Sequence, residues 1–515
     1  MNRFALRLLA AGVLVAGLLG AAGLLPAGAA LLENLRDSIQ EFTLENGLRV
    51  LVIERHDAPV FSYATCVDAG GVCETTGKTG IAHMFEHMAF KGTEAIGTED
   101  YDAERKLLAK VDEAWDAVLA EQRKGFDADS TRLAELQAAY KQAREEAKEV
   151  VIGNEFAKIL EQNGARGINA FTGTDMTCYF YSLPSNRLEL CMRMEAGRLA
   201  YPVLREFYLE RDVVRNERRI GTESSAVGRM FENFLTTAFM AHPYKNGVIG
   251  HTSDIEAFHR RDAREFYETY YVAPNMTAVF VGDVTVDQVK KLAKKYLAHI
   301  SEGSDPPPVT TIEPVHTAER RIIAHEDANP MVIIGWQCPA VTAPDFAPME
   351  LLMEILAGGR SSRLYERLVK EEKVAANIGG GTGLPGNKYP NQAVVFVTVA
   401  ADEDPYRAEQ LVYEEIERLI TEGPTAEELE KVKTSYLASE IRQIREPSRL
   451  ALQLAIADQI LGHWNRGFTL LDRIEQVTLE DIQRLAEERL TQARRTVGII
   501  EKKSNEAQAA AVKEG

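Results

Sequence analysis

The sequence predicts an α+β protein made of two related domains, and three observations support this fold class. Short strand-like patterns alternate with longer helical patterns along the 515 residues. Residues 301–315, SEGSDPPPVTTIEPV, have the composition of an interdomain linker. Two gap-free similar stretches, which start at Asp262 and Asp481 and are offset by 219 positions, each read as a helix followed by a strand. We therefore expect one domain over residues 30–300 and a second over residues 316–503.

The N-terminal segment, residues 1–29, is predicted to be a signal peptide. Two arginines precede an apolar run, Leu8–Leu25, and a small-residue cleavage pattern ends at Ala29. We expect export to the periplasm or secretion after cleavage. An uncleaved membrane anchor is the alternative, because the run is nearly long enough to span a bilayer. No later run is comparably long, so no stable membrane insertion is expected after cleavage. Residues 504–515 are predicted to be a polar tail.

The composition and net charge indicate which kinds of molecule this chain can bind. The content is 45% apolar and 26% charged, as in a globular protein, and the formal net charge is −18. Loss of the two arginines with the signal peptide would make it −20. A chain this acidic is not expected to bind nucleic acid, which requires a basic surface.

The cysteines indicate neither a zinc ribbon nor a disulfide scaffold, because their number is odd and no C-x-x-C pair occurs. They are Cys66, Cys73, Cys178, Cys191 and Cys338. Buried free thiols are one expectation. In an oxidising compartment one bridge, such as Cys66 to Cys73 or Cys178 to Cys191, is the other, and the spacing does not choose between them.

The first domain begins with a predicted β-hairpin and contains a predicted helical insertion. The stretch EFTLENGLRVLVIE is two strand patterns that meet at Asn46-Gly47, a dipeptide suited to a type I′ turn. Residues 101–152 are charged and have apolar residues at helical spacing on both sides of a Gly125-to-Ser130 break. We expect an inserted helical hairpin, and we expect the domain to stay folded when residues 104–150 are replaced by a short linker.

The stretch GIAHMFEHMAFKGT carries the strongest chemical signal. The pattern from Thr79 to Gly92 predicts a helix, on which His83 and His87 stand one turn apart on the same face. Two imidazoles so placed can bind one metal ion. Glu86 projects near the same point and can take a proton from a water molecule whose pKa zinc lowers to about 7.

A catalytic zinc site needs a third protein ligand, and a second helical stretch offers carboxylates. In FYLERDVVRNERRI, one face combines Glu210, Val213, Val214 and Glu217. Carboxylates among valines on a core-facing stripe are costly unless something pairs with them, and a metal ion would do so. Surface exposure with incidental spacing is the alternative.

These motifs resemble the insulinase and pitrilysin family of inverted-motif (H-x-x-E-H) zinc metallopeptidases, which includes the mitochondrial processing peptidase. The resemblance rests on H-x-x-E-H followed by MAFKGT, GINAFTGTDMTCYFYSLP and ERDVVRNE, and this chain is most similar to the processing-peptidase-like bacterial type. It implies two homologous α/β-sandwich domains, the first catalytic and the second of the inactive type, and one Zn²⁺ per chain. By motif, His83, His87 and Glu217 would be zinc ligands, Glu86 the general base, and Glu210 a catalytic carboxylate close behind the site.

The resemblance also implies a substrate-binding strand and a reaction. In GINAFTGT, the residues Asn169, Ala170, Phe171 and Thr172 are similar to the edge strand along which the family lays an extended peptide. An ordinary internal strand is the alternative. The expected function is zinc-dependent endopeptidase action on extended peptides or unfolded segments in an enclosed chamber. The alternative is a non-catalytic structural or partner subunit of the same fold.

The second domain departs from the family pattern. Many members carry there an arginine and, seven residues on, a tyrosine that close over the peptide. Laid on SRLYERLVKEEKVAANI, these positions fall at Val369 and Ala376, although Arg363 and Tyr365 are nearby substitutes. Neither Val nor Ala donates a side-chain hydrogen bond. The expected partner is therefore a related subunit in a heterodimer, with a homodimer as the alternative.

Overall fold

The computed structural model describes residues 24–503, with side chains from Leu31 onward. The predicted polar tail, residues 504–515, and all but the last six residues of the predicted signal peptide lie outside this range. Among the described helices, none is long and apolar enough to cross a membrane.

The first half of the chain contains six strands and eleven helices in the described range. In chain order they are α1 (Leu24–Ser38), β1 (Gln40–Thr43), β2 (Arg49–Glu54), β3 (Val60–Val67), α2 (Ile81–Met88), α3 (Tyr101–Gln122), α4 (Ser130–Lys148), α5 (Glu155–Gln162), β4 (Arg166–Thr172), β5 (Thr177–Pro184), α6 (Leu188–Ala200), α7 (Phe207–Arg218), α8 (Ala226–Ala238), α9 (Thr252–Ala257), α10 (Arg260–Tyr270), β6 (Met276–Gly282) and α11 (Val286–Tyr296).

The second half repeats this pattern in shorter form. Its elements are β7 (Arg320–Glu326), β8 (Met331–Cys338), α12 (Phe346–Ala357), β9 (Ala375–Leu384), β10 (Asn391–Val399), α13 (Pro405–Glu422), α14 (Ala426–Arg445), α15 (Pro447–Leu461), α16 (Arg466–Gln476), α17 (Leu479–Arg489) and β11 (Arg495–Lys502). Residues 301–319, between the two halves, carry no helix or strand.

Each half forms one mixed sheet with a shared topology. The strand order is β1-β2-β6-β3-β5-β4 in the first sheet and β7-β11-β8-β10-β9 in the second. In each sheet the last strand of the domain pairs in parallel with one neighbour, β2 or β7, and antiparallel with the other, β3 or β8. The predicted fold class, two related α/β domains, is confirmed.

The internal repeat falls on equivalent elements, α10–β6 and α17–β11. Asp262 and Asp481 both close a capping box at the start of their helix, where the carboxylate accepts a backbone N–H. Thr277 and Thr496 both lie buried on the strand that follows. The sequence similarity therefore reflects the same helix start and the same central strand position in both domains.

Each sheet is covered on one face by its own helices and on the other by a helix from the opposite half. On the first sheet, α15 places Leu450 and Leu454 in one buried cluster with Val279 of β6. In return, α8 places Phe234 beside Ile333 of β8. Apolar burial of this kind stabilises by about 25 cal/mol per Å². The two domains therefore complete each other's cores.

The inserted hairpin, α3 and α4, packs on the first domain and contributes to its core. Four of its apolar side chains are buried and belong to the same cluster as the apolar residues of α2 and α7: Trp115, Val118, Leu119 and Tyr140. Replacement of residues 104–150 by a short linker would remove this part of the core, which weighs against the expectation that the domain stays folded; that expectation stays a prediction. Helical spacing identified the hairpin's apolar face, but it did not show that this face covers the main core.

The cysteine pairing differs from both bridges considered from the sequence. A disulfide joins Cys66 of β3 to Cys178 of β5, which stand directly opposite each other in the antiparallel ladder. Cys73, Cys191 and Cys338 are free. The pairing follows from strand order, since β3 and β5 are neighbours although 112 positions separate the two cysteines.

Candidate metal centre

Helix α2 presents both motif histidines on one face. It begins after Gly80, which has a φ of +91°. A side chain at this position would be strained and would collide with the Ile249 carbonyl oxygen, so glycine is required here. The His83 and His87 rings lie with their centroids 4.9 Å apart, nearly perpendicular to each other. The i, i+4 spacing thus places the two imidazoles one turn apart on the same face of α2.

Helix α7 brings a carboxylate to the same point. The Oε2 atom of Glu217 stands 3.8 Å from Nε2 of His83 and 3.8 Å from Nε2 of His87. One ligand atom from each of the three residues lies within 4.8 Å of the others. These separations are too long for hydrogen bonds, so the three groups converge without bonding one another.

A second carboxylate of α7 orients one histidine. Oε2 of Glu210 lies 3.2 Å from Nδ1 of His87, and its other oxygen accepts from Lys91. Lys91 also donates to Glu206, at 3.1 Å. Because a carboxylate only accepts, Nδ1 of His87 is the donor, and in the neutral ring the Nε2 lone pair then faces Glu217.

Glu86 lies beside the histidines and is held by the neighbouring strand. Its Oε2 accepts a hydrogen bond from Oγ1 of Thr172, the last residue of β4, at 2.7 Å. Burial raises the pKa of the Glu86 carboxyl, while the Thr172 hydrogen bond opposes this rise. A raised pKa suits a group that must take up a proton and release it again.

The two histidines have opposite electrostatic environments. Burial, with the neighbouring His87 ring, lowers the pKa of His83 to about 3, so this ring is neutral with a free lone pair. For His87 burial also lowers the pKa, but the hydrogen bond to Glu210 and the charges of Glu217 and Glu86 outweigh it and raise the pKa overall. Burial opposes ionisation of Glu210, yet its bonds from His87 and Lys91 lower its pKa.

The donor set fits a zinc ion. Two imidazole nitrogens and one carboxylate oxygen are ligands that catalytic zinc uses, and ligand atoms around a tetrahedral zinc stand about 3.4 Å apart. The separations of 3.8 Å between Glu217 and each of His83 and His87 approach that value without a hydrogen bond to hold them. The three residues therefore form a site in which a zinc ion would fit between the ligand atoms.

Strand β4 forms the edge of the first sheet and ends at this site. It pairs with β5 alone among the described strands, with Asn169 opposite Phe180 and Ala170 opposite Tyr179. Asn169 is exposed, and Ala170, Phe171 and Thr172 are half-buried. The strand expected to bind substrate is therefore an edge strand among the described strands, with one side unpaired there, and not an internal strand.

Several features of the site were not visible in the sequence. These features are the hydrogen bond from Lys91 to Glu206 and the one from Thr172 to Glu86. Each connects two residues that are far apart in the sequence, so their spacing gave no signal. One expectation also needs correction. Val214 is buried, but Val213 is 40% exposed, so the α7 stripe is not uniformly core-facing.

The second domain offers no free arginine at the expected place. Val369 packs against the second core, and Ala376 is exposed on β9. The substitute considered from the sequence, Arg363, is bound to Glu428 at 2.7 Å and to the Gly423 carbonyl, with its side chain only 8% exposed. Arg363 is therefore part of the second domain's internal packing.

Comparisons with known families place this chain in a peptidase family. The model described as "Insulinase (Peptidase family M16)" matches residues 49–115 and 147–252, and the model described as "Peptidase M16 inactive domain" matches residues 257–436. The chain belongs to this family, peptidase family M16. The interruption of the first match at residues 116–146 covers the end of α3 and most of α4, so this part of the hairpin is an insertion relative to the family.

Individual relatives agree with this assignment. The Helicobacter pylori protein named "Zinc protease PqqE" is 26% identical over 461 residues, which are 87% of this chain and 89% of that protein. The "Mitochondrial-processing peptidase subunit beta" of Lentinula edodes is 22% identical over 483 residues, 89% of this chain and 88% of that protein. A solved structure described as a protease from Helicobacter pylori shares the fold, with a TM-score of 0.75 and 23% identity over 90% of this chain and 99% of that chain.

Proposed function

We propose that this chain is a zinc-dependent endopeptidase that hydrolyses extended peptides or unfolded protein segments. The observation that carries the proposal is the convergence of His83, His87 and Glu217 on one point, with Glu86 beside them at the end of a free edge strand. The named zinc protease among its relatives supports the same reaction class.

Each residue of the site has a distinct role in this reaction. Zinc held by the two histidines and Glu217 would polarise the scissile carbonyl and make a water molecule acidic enough to react near neutral pH. Glu86 takes the proton of that water and delivers it to the leaving amine. Glu210 positions His87 through Nδ1, and Thr172 positions the carboxylate of Glu86.

The edge strand β4 would bind the peptide by β-augmentation. Its free backbone groups can pair with an extended segment of any sequence, and side-chain pockets add preference. The strand ends at Thr172, which contacts Glu86, so a peptide paired along Asn169, Ala170 and Phe171 would run directly to the site. Broad specificity for unfolded segments follows from this mode of binding.

A partner subunit is part of the proposal. The expected arginine and tyrosine are replaced by Val369 and Ala376, and Arg363 is engaged by Glu428. A related subunit in a heterodimer would supply the missing donors and close a chamber over the site. A homodimer, the alternative, would close the chamber without supplying them. The relative named as a subunit of the mitochondrial processing peptidase supports such an assembly. Measurement of mass and peptide turnover for the chain alone and with its closest co-expressed relative tests it, and full activity of a homogeneous monomer or homodimer would contradict the supply of donors by a related subunit.

We also propose that the chain acts outside the cytoplasm, in the periplasm or as a secreted protein, with a membrane-anchored form as the alternative. The buried disulfide between Cys66 and Cys178 supports an oxidising compartment, where such bonds form and persist. Fractionation of the expressing cells, with sequencing of the mature N-terminus, tests this. A mature chain that begins at Met1 in the cytoplasm would contradict it.

The catalytic proposal is tested by separating zinc binding from hydrolysis. We expect Glu86→Gln to keep one zinc per chain and lose peptide cleavage, because it removes the base and leaves the ligands. His83→Ala, His87→Ala and Glu217→Ala should lose both. Metal analysis and cleavage of a random peptide mixture by these four variants provide the measurement. Wild-type protein that binds zinc but cleaves nothing, alone or with its partner, would favour a non-catalytic subunit.

A further inference from the structure

We propose that the inserted hairpin, α3 and α4, is a positioning element for the zinc site. It holds the side of α7 that faces away from Glu217 and so fixes this ligand opposite the two histidines. The inference rests on the proposed zinc site. It assigns a role to a hairpin whose residues 116–146 interrupt the match to the family.

The position of Glu217 depends on the backbone of α7. No hydrogen bond to its carboxylate forms within residues 24–503, and the side chain is 45% exposed. A ligand whose own side chain is not held is placed by the helix that carries it. Because metal ligation tolerates errors of only about 0.5 Å, whatever fixes α7 also fixes the geometry of the site.

The hairpin contacts the opposite side of the same helix. At about 100° per residue, Tyr208, Arg211 and Asp212 lie about 120° to 180° around α7 from Glu217. Tyr208 and Arg211 are buried. One side of α7 therefore faces the zinc site, and the other faces the hairpin.

The central contact is a cation–π stack. The Arg211 guanidinium lies 4.1 Å from the centroid of the Trp115 ring of α3, and Trp115 also packs against Tyr208 and Tyr140. Nε1 of Trp115 donates to the Phe258 carbonyl at 3.1 Å, which anchors the indole to the main domain. A buried stack of this kind resists both sliding and rotation of α7.

Polar contacts flank the stack along the helix. Asp112 of α3 accepts from the Tyr208 hydroxyl at 2.8 Å, and Arg144 of α4 pairs with Asp212 at 3.1 Å. These contacts come from both helices of the hairpin, and they hold α7 over residues 208–212, somewhat more than one of its turns.

A buried ion pair ties the hairpin to both helices of the site. Glu104 of α3 accepts from Arg205 at 2.8 Å and 3.1 Å, and both side chains are almost completely buried. The same guanidinium donates to the carbonyls of Lys91, Thr93 and Ile96, in the segment that leaves α2. Arg205 directly precedes Glu206, the residue at the start of α7. The hairpin therefore fixes the exit of the histidine helix and the entry of the glutamate helix together.

The test measures zinc affinity by competition with a chelator, in full-length protein with the hairpin intact. We expect Arg211→Met to weaken zinc binding about tenfold, the lower end of the effect of groups that orient metal ligands. Arg211→Lys, which keeps a cation over the indole, should recover part of the loss. Trp115→Phe, which keeps an aromatic ring but removes the indole, replaces Arg211→Met as the test variant if Arg211→Met does not fold. Circular dichroism and thermal unfolding are recorded for each variant.

The matched control weakens the hairpin without touching α7. Lys110→Met removes the exposed Lys110–Glu146 pair that joins α3 to α4, and zinc affinity should stay at the wild-type value. Wild-type zinc affinity in folded Arg211→Met and Trp115→Phe would overturn the inference, as would an equal loss in Lys110→Met. Failure of the wild-type chain to bind zinc would overturn the proposed function itself, and this inference with it.

Discussion

Glu86 illustrates how single residues set the chemistry of this site. Burial raises its pKa, and the hydroxyl of Thr172 partly reverses this by donating to the carboxylate. The balance matters because a base must be ionised to accept a proton and basic enough to hold it. Thr172 belongs to the proposed substrate strand, so peptide binding and the state of the base are linked through one hydrogen bond.

Substitution of Thr172 tests this link. In Thr172→Val the carboxylate loses a donor that favours its charged form, so the pKa of Glu86 rises further. The acidic limb of the kcat/KM profile should then move to higher pH, with about a tenfold loss of kcat near neutral pH. Thr172→Ser should behave as wild type. An unshifted acidic limb in Thr172→Val, at unchanged zinc content, would show that the hydrogen bond does not tune the base.

At the residue scale, the helical period carried most of the information in the sequence. It placed His83 and His87 on one face, and it singled out Glu217 on α7, although the Glu217 side chain is 45% exposed and not at the costly core position that was expected. It could not show that Lys91 bridges Glu206 and Glu210, because that contact depends on how α2 and α7 cross. Contacts within one helix follow from spacing, whereas contacts between helices follow from packing.

At the scale of elements, the histidine helix α2 is held at its start by an unusual cap. The Glu74 carboxylate accepts from the backbone N–H groups of Gly80 and Ala82 at 2.8 Å and 2.9 Å. These are N–H groups that the helix itself leaves unpaired. Burial raises the pKa of Glu74 to about 8. The Glu74 cap therefore stabilises α2, and the protonation state of its carboxyl changes near pH 8.

The titration of Glu74 predicts a pH dependence of stability. In the unfolded chain this group titrates near its ordinary value of 4.5, and in the folded chain near 8. Between these values the folded chain holds a proton that unfolding releases, so the free energy of unfolding falls as pH rises, by up to about 1.4 kcal/mol per pH unit. Unfolding measured between pH 5 and pH 8 with chelator present should show this fall in wild type.

The control for this prediction is Glu74→Gln, which has no proton to exchange. Its free energy of unfolding should fall less steeply over the same range than that of the wild-type chain. Parallel curves for the two proteins would mean that Glu74 titrates at its ordinary value when folded.

The pairing of strands that are distant along the chain was the feature hardest to predict from the sequence. The hairpin around Asn46-Gly47 was predicted because its two strands are adjacent in the chain, and β1 and β2 do pair. The type I′ turn was wrong, because Gly47 has a positive φ and Asn46 does not. The disulfide was missed because Cys66 and Cys178 meet only when β5 docks beside β3. Strand order is set by the whole sheet, and spacing along the chain does not contain it.

At the scale of the whole molecule, the two halves are joined by more than a linker. Helices α8 and α15 each complete the core of the opposite domain, around Phe234 and Leu454. The repeat at Asp262 and Asp481 predicted two domains of one design. It did not predict this exchange, since an amphipathic helix does not reveal which sheet it covers.

The exchange predicts that the two domains unfold together. Calorimetry of the full chain should show a single transition, and Phe234→Ala, at an estimated cost of about 3–5 kcal/mol, should lower its temperature without splitting it. A matched large-to-small change at Leu454 should act in the same way from the other domain. Two separate transitions, with only one of them moved by each variant, would show that the domains are independent.

The central claim is that His83, His87 and Glu217 hold one zinc ion, and X-ray absorption at the zinc edge tests it most directly. For the purified zinc-loaded chain we predict scattering from two imidazoles and a first shell of nitrogen and oxygen at about 2.0–2.1 Å, without sulfur. In Glu217→Ala, stoichiometric zinc should be lost. Sulfur scattering at about 2.3 Å, a single imidazole, or a Glu217→Ala protein with full zinc and an unchanged spectrum would contradict the account.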